Sequence, residues 1–485
     1  MKHKINIKHI LNGRITIYLL IFIFSITSCK KLVEVDPPDT NITELNVYSN
    51  KASATAVLTG LYIKMSSSGL QSNGVTSMPL LTGLSGDELV LYSGTHNETY
   101  SAFYTNSLTS SNFGYPNPWS NLYSLIFTCN SAIEGLSRSS ELTPSIKNQL
   151  LGEAKFLRAF YYFYLVNLFG DVPLALSTDY TVNSTLSRSP KDIVYQQIII
   201  DLKEAQAILN DNYVDNSLVN ATSERVRPNK WAAIALLARA YLYHGEYANA
   251  ENTAAEVIGH TALYGLTGLN DVFQMNSREA IWQLQPVNNG FNTEDARLFI
   301  IPSTGLSDEW PVYLSNQLLN SFESGDQRKV SWISRFTDNS VTPAVDYYYS
   351  YKYKVSEFGQ PVTEYAMVLR LSEQYLIRAE ARAQQNKLSE AATDLDAIRQ
   401  RAGVNKTTAT AQTALLEAIM HERQVELFSE WGHRWLDLKR LNKVNEVMSN
   451  VTPLKGGIWN TNRQLYPIPA GEILKDPNLT QNPSY

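Results

Sequence analysis

GEAKFLRAFYYFYLVNLFGDVPL, residues 152–174, is the stretch that decides the fold. From Phe156 to Phe169 its apolar and aromatic run is broken only by Arg158 and Asn167. A helix that is hydrophobic on every side has to be buried on every side, so other helices must wrap it. Gly170 supplies a left-handed stop, and Pro173 prevents the helix from resuming. The pattern of Leu157, Arg158, Ala159, Phe160 and Tyr161 returns at Leu237, Arg239, Ala240 and Tyr241, and more loosely at Leu376, Arg378, Ala379 and Ala381. One kind of helix has therefore been used at least three times.

At 485 residues the chain exceeds the ~250–300 residues at which single cores stop growing, a limit that stacked helical units escape. Residues 1–28 carry four basic residues and no acid, and the remaining 37 basic and 46 acidic residues leave a net charge of −9. That excess argues against nucleic acid as a partner and against charge-driven binding to anionic lipid. The same 28 residues combine a basic start, an apolar run from Ile15 to Phe24 and small residues after it. They read as a secretory leader, too short in its apolar part to span ~30 Å of hydrocarbon. Ile26-Thr27-Ser28-Cys29 resembles a bacterial lipobox, which predicts lipidation of Cys29 and a lipidated tether over 29–43. Cys129, left without a partner, is expected to be an inert buried thiol.

Residues 44–65 predict a first helix. From there to Trp119 Gly, Ser, Thr and Asn dominate, with Tyr92, Tyr100, Phe103, Tyr104, Phe113 and Tyr115 set among them. No Lys or Arg occurs between Lys64 and Arg138. The clearest unit is Asn229 to Ile258. Trp231, Ala235, Leu236, Ala238 and Leu242 form one stripe, His244-Gly245 a turn, and Tyr247, Ala250, Ala254 and Ile258 a second helix. This spacing matches a tetratricopeptide repeat, whose small alanines let paired helices approach closely. Residues 370–401 repeat it, with Asn386, Leu388 and Ala391 in the places of Gly245, Tyr247 and Ala250. The expected fold is mainly α, a tetratricopeptide-repeat-like helical scaffold over 44–259 and 366–485 with a loop region at 66–118. Residues 260–365 are expected to form a loop-rich, ligand-binding insert lobe with short strands such as Ala280–Leu284 and Tyr347–Tyr353. A single long helix is predicted over ALLEAIMHERQVELFSEWGHRWLDLKRL, residues 414–441, and an ordered surface coil from Leu465 to Tyr485.

The chemistry in the chain points to binding. His421-Glu422 looks like half of a zinc-protease motif, but Val425 stands where the second histidine belongs, so no metal is expected there. Glu422, Arg423, Glu426, Glu430, Arg434, Asp437 and Arg440 recur at three- and four-residue spacing, which suits structural ion pairs. A glycosidase needs two carboxylates ~5–9.5 Å apart. Asp87-Glu88 and Glu294-Asp295 are adjacent pairs whose members point to opposite sides of an extended loop. The sequence has no phosphate loop, dinucleotide fingerprint or nucleophile elbow, and no cofactor is implied. The cation-free segment Leu84–Trp119 is different in kind. Tyrosines among Ser, Asn and Gly make an adhesive surface at low entropic cost. Their flat rings and amides suit a neutral sugar, with Phe291, Asn292, Trp310 and Tyr313 of the second lobe as the opposite wall. The tyrosine run from Tyr347 to Tyr353 alternates as a strand does, and is read as structural.

The lipobox, the central stretch, YLIRAEARAQQNKL (375–388), ERQVELFSEWGHRWLDLKRL (422–441) and PIPAGEILKDPNLTQNPSY (467–485) together resemble the signature segments of SusD/RagB-type lipoproteins, in that family's order. The resemblance implies a surface-exposed lipoprotein of the cell outer membrane. It would capture a neutral oligosaccharide for a SusC-like TonB-dependent transporter without transforming it. It also implies a glycan site on the two aromatic loop regions, where Asp87, Asn97, Tyr100, Tyr104, Trp119 and Trp310 are the expected contacts. The competing expectations are a surface scaffold gripping a protein or peptide in its repeat groove, and a glycoside hydrolase.

Overall fold

The structure, a computed structural model, describes residues 44–67, 77–113 and 117–485. The leader, Cys29 and the 29–43 tether lie outside the described residues. Among the described residues no helix is long and apolar enough to cross a membrane. The chain separates into residues 1–47 and the unit Tyr48–Tyr485, which is the subject below. Helices α1 (Lys51–Ser67) and α2 (Met78–Ser85) lead to strand β1 (Leu89–Leu91) and the short α3 (Glu98–Tyr104). Helices α4 (Pro118–Arg138), α5 (Pro144–Phe169) and α6 (Lys191–Ile208) follow, then the repeat pair α7 (Lys230–His244) and α8 (Tyr247–Gly259). The next segment holds β2 (Ala280–Leu284), α9 (Glu294–Phe299), β3 (Val312–Leu314), β4 (Ile333–Asp338) and β5 (Val345–Ser350). β6 (Ala366–Arg370) returns the chain to α10 (Leu371–Gln384), α11 (Leu388–Arg401), α12 (Gln412–Leu427), α13 (His433–Arg440) and α14 (Val444–Leu454).

The quoted stretch is the second half of α5, and every residue from Phe156 to Phe169 is buried. Its rings meet edge to face with those of other helices and strands: Phe160 with Trp282 at 5.6 Å and with Trp431 at 5.3 Å, Phe163 with Tyr243 at 4.9 Å. Gly170 ends the helix at φ +76°, a conformation that favours glycine. The last carbonyls, which have no partner inside the helix, are all taken. Gly170 N–H donates to Val166 at 3.1 Å, Lys439 Nζ to Asn167, Tyr466 N–H to Leu168 at 2.9 Å, and Asn482 Nδ2 to Phe169 at 2.9 Å.

The recurring arginines have one job. Arg158 binds Asp201 on α6 through two bonds of 2.8 and 2.7 Å, Arg239 binds Glu373 on α10 through two of 2.6 Å, and Arg378 binds Asp394 on α11 at 2.9 and 2.7 Å. Each ties its helix to a neighbour by a two-pronged, charge-assisted contact. The repeat turns sit at Gly245 (φ +83°) and Asn386 (φ +62°), both left-handed. Although some hundred residues separate the two repeat pairs, α8 packs on α10. The chain leaves and re-enters the scaffold through adjoining strands, since β2 pairs antiparallel with β6 from Ala280↔Arg370 to Leu284↔Ala366.

The predicted long helix over 414–441 is two helices. Between α12 and α13 the backbone turns through Ser429 (φ +57°), Trp431 (φ +45°) and Gly432 (φ +76°). Tertiary contacts fix this turn: Trp431 is buried, its indole N–H donates to Met367 O at 2.7 Å, and a Cβ on Gly432 would stand 2.6 Å from Thr82 Oγ1. The charged residues of this region form a buried network. Glu422, Glu426 and Glu430 face Arg328, Arg370, Arg399, Arg401 and Lys352, with Arg328–Glu422 and Arg370–Glu426 both at 2.6 Å. Burial opposes ionisation of Glu426, but Arg401, Arg370 and Arg328 overcome it and hold the carboxyl well below its usual range. The tail is mostly coil, as expected, but Pro469 starts a short helix, Ala470–Lys475. The strand expected from Tyr347 begins two residues earlier and ends at Ser350. Cys129 is fully buried, and burial pushes its thiol up, out of the reactive range.

Candidate functional site

A backbone ladder joins the two aromatic loop regions. β1 pairs antiparallel with β3, Leu89↔Leu314 and Val90↔Tyr313. The ladder extends outward: Tyr92 N–H donates to Pro311 O at 2.7 Å, and Ser315 N–H to Glu88 O at 2.9 Å. Further along, His96 N–H donates to Asp308 Oδ1 at 2.7 Å. The β4–β5 hairpin adds the next layer. Phe336 lies opposite Tyr347 in its register, so the two share a face, and Tyr347 meets Tyr313 edge to face at 5.0 Å. The other face carries the Arg335–Asp346 ion pair at 3.0 Å. Tyr92, Tyr104, Tyr313 and Tyr347 are all half-buried, with part of each ring open to solvent.

A cleft of about 250 Å³ is bordered by two of these rings, Tyr104 and Tyr313, with Asn316, Gln317, Leu454 and Lys455 among its other lining residues. Burial, and then the nearby Tyr313 hydroxyl, push the Tyr104 hydroxyl up to about 12, so it stays a neutral donor. Lys455 Nζ donates to Leu84 O at 2.8 Å and to Gly86 O and lies 5.2 Å from the Tyr104 ring centre. Burial pushes its ammonium down to about 7. Rings flanked by amides and hydroxyls can hold a molecule that has apolar faces and hydroxyl edges.

The six expected contacts separate. Tyr104 lines the cleft. Trp310 is half-buried just before β3, its indole N–H held by Arg297 O at 2.9 Å. Asn97 caps α3, accepting Tyr100 N–H at 3.0 Å, and Tyr100 itself is buried. Asp87 borders the cleft but is buried, and both its oxygens are bound by Arg434, at 2.9 and 2.7 Å. Trp119 is buried elsewhere, edge-on to Phe169 at 5.0 Å and beside a groove of about 410 Å³ that includes Phe127 and Tyr180. Of the opposite wall, Tyr313 joins the cleft, whereas Asn292 is buried and spent on the backbone of Thr363 and Glu364 at 2.8 and 3.0 Å. Phe291 lies under Arg297 (4.2 Å) and beside the exposed Phe358 (5.2 Å). Sequence reasoning did not single out Asn316, Gln317 or Phe358, and read Tyr347 as structural. The alternation that makes Tyr347 a strand residue also sets its ring on the face of Phe336, and that signal was available.

Neither carboxylate pair faces open space as a pair. Asp87 is bound to Arg434, while burial and then the Asp87 charge raise Glu88 to about 8. Glu294 opens α9 and binds Arg297 at 2.9 Å. Glu323, His421 and Glu422 converge within 4.8 Å. Each already has a partner: Glu323 and Glu422 bind Arg399 at 2.6 and 3.1 Å, and His421 Nε2 lies 2.7 Å from Ser321 O.

Comparison with known proteins agrees with the helical fold. Residues 42–242 match a family model described as starch-binding associating with outer membrane, and residues 286–485 match that of the SusD family. SusD-like protein P2 of Formosa agariphila is 27% identical over 417 residues, covering 76% of this chain and 80% of its own. A SusD superfamily protein from Bacteroides vulgatus superposes with a TM-score of 0.76 at 20% identity, covering 90% of this chain and 99% of its own. A laminarin-binding SusD-like protein does so with a TM-score of 0.75 at 25% identity, covering 90% and 100%. On these matches to both parts of the chain and on its tetratricopeptide-like helical fold, the protein belongs to the SusD/RagB family.

Proposed function

We propose that this protein is a non-enzymatic, lipid-anchored surface protein that captures an uncharged oligosaccharide and delivers it to a SusC-like TonB-dependent transporter in the outer membrane. The observation that carries the reading is the β1–β3 ladder, beside which Tyr104 and Tyr313 line one cleft together with Asn316 and Gln317. Such rings stack on the C–H faces of sugars while Asn316 and Gln317 reach their hydroxyls. The laminarin-binding relative and the starch-binding description of the first family model support a glycan as ligand. Binding without turnover agrees with Asp87 and Glu294, one member of each adjacent carboxylate pair, being held by Arg434 and Arg297. The lipobox at Cys29 supports the anchor.

A second reading, a scaffold that grips a protein, draws on the groove around Trp119, where Phe127 is 53% and Tyr180 79% exposed. Calorimetric titration of the protein with laminari- and malto-oligosaccharides separates the two. Glycan capture predicts saturable binding that Tyr313→Ala and Tyr104→Ala each weaken by ~1–3 kcal/mol, the scale of a hot-spot aromatic, while Phe127→Ala leaves it unchanged. Indifference to every glycan offered, or equal effects of all three substitutions, would remove the cleft from the account. Released reducing sugar on prolonged incubation would instead make the protein a hydrolase.

A further inference from the structure

At the C-terminal end of α5 lies another cavity, of about 480 Å³, with none of the cleft residues in its lining. Its charged lining consists of Arg188, Lys191, Lys439 and Arg440 against a single acid, Asp171. Arg440 is already balanced by Glu380 and Asp437, at 2.7 and 2.8 Å. The other three cations have no carboxylate at ion-pair distance among the described residues. Arg188 donates to the carbonyls of Asp171, Thr480 and Phe169 and to the side-chain oxygen of Asn482. Lys439 donates to the carbonyl of Asn167. Lys191 Nζ makes no hydrogen bond among the described residues and lies 5.5 Å from the Tyr195 ring centre. Asp171 is partly spent, since its Oδ1 accepts the Lys191 backbone N–H at 2.8 Å.

Capping α5 explains part of this arrangement. Arg188 and Lys439 satisfy helix carbonyls, and a helix C-terminus carries about half a negative charge. That does not explain three cations against one acid in a chain whose mature part is strongly acidic. Nor does it explain Lys191, which opens α6, where the helix dipole already disfavours a cation. Burial, and then the Lys191 ammonium, push Lys439 well below the ordinary lysine range, and burial also lowers Lys191 and Arg188.

We propose that this cavity is an oxyanion-binding site, in which the ammonium groups of Lys191 and Lys439, with the field of Arg188, hold one phosphate, sulfate or carboxylate group. The site goes beyond the glycan cleft and shares no lining residue with it. Isothermal titration of the full chain with sodium sulfate, phosphate and acetate, each against sodium chloride at matched ionic strength, tests it. The expected result is one saturable site per chain for at least one of the three oxyanions, weakened at least tenfold in Lys191→Met. Sulfate and phosphate binding without acetate assigns the site to an ester-type tetrahedral anion, and acetate binding without them assigns it to a carboxylate. Because sulfate stabilises most proteins by exclusion from their surfaces, the melting temperatures of parent and Lys191→Met are compared in each salt. The parent should gain more from the oxyanion that titrates than it gains from chloride, and Lys191→Met should lose that extra gain whatever its own melting temperature in chloride. No saturable binding of any oxyanion, or binding that Lys191→Met retains in full, overturns the proposal.

Discussion

Glu88 sits beside the residues that floor the cleft, and it gives the sharpest test of the electrostatics there. It is buried, its Oε1 has no hydrogen-bond partner, and burial followed by the Asp87 charge raises its carboxyl from 4.5 to about 8. The folded protein therefore holds Glu88 protonated at neutral pH, whereas the unfolded chain ionises it. With the folded value above the unfolded one, the side chain's contribution to stability is complete below pH 4.5 and is lost as pH rises toward 8. Each pH unit in that window is worth about 1.4 kcal/mol, so the deficit reaches ~3 kcal/mol at pH 7. Glu88→Gln keeps the volume and removes the titration. Thermal unfolding of parent and variant at pH 5, 7 and 8.5 should give similar melting temperatures at the lowest pH and a growing advantage for the glutamine above it. A glutamine also needs hydrogen-bond partners, so the trend with pH carries the test, and other titrating groups cancel in the difference. Parallel melting curves across the whole range would refute the assignment. Affinity for glycan at pH 7 should stay unchanged.

Other substitutions probe the scaffold and the cleft separately. Arg239→Ala leaves the buried Glu373 without its two-pronged partner, at a cost of ~3–5 kcal/mol in unfolding free energy. A melting temperature within a degree of the parent would contradict this. Gly432→Ala must hold φ +76° and place a Cβ 2.6 Å from Thr82 Oγ1. A loss of ~1–3 kcal/mol, seen in chemical denaturation, is expected. Tyr104→Ala, at the cleft, should weaken glycan binding by ~1–3 kcal/mol with little change in melting. Trp119→Ala should do the opposite, losing ~3–5 kcal/mol of stability and keeping its affinity in calorimetry.

The scaffold was legible because its signals are local and repeated. The all-round apolar run of α5, the Gly245 and Asn386 turns and the recurring arginines each state a packing requirement in a few adjacent residues. What the local signal missed was imposed from a distance. Nothing in Ser429-Glu430-Trp431-Gly432 except its glycine announces a break in the helix, because Trp431 is drawn aside by Met367 and Phe160. The cleft was legible as two regions and not as residues. Tyr104, Tyr100 and Trp119 look alike in sequence, and only the β1–β3 register and the position of Phe169 decide which of them borders the cleft and which is packed inside. Asp87 read as a glycan contact because nothing local reveals its partner, Arg434, which is more than three hundred positions away.

The pairing of β1 with β3 has a mechanical consequence. Main-chain hydrogen bonds fasten the two walls to each other in advance, so a sugar chain laid across Tyr104 and Tyr313 would have no loops to gather in. Little ordering entropy then opposes docking. The contact should form quickly, and its lifetime should depend on how well rings and rings of sugar match, leaving release to something that acts from outside the platform.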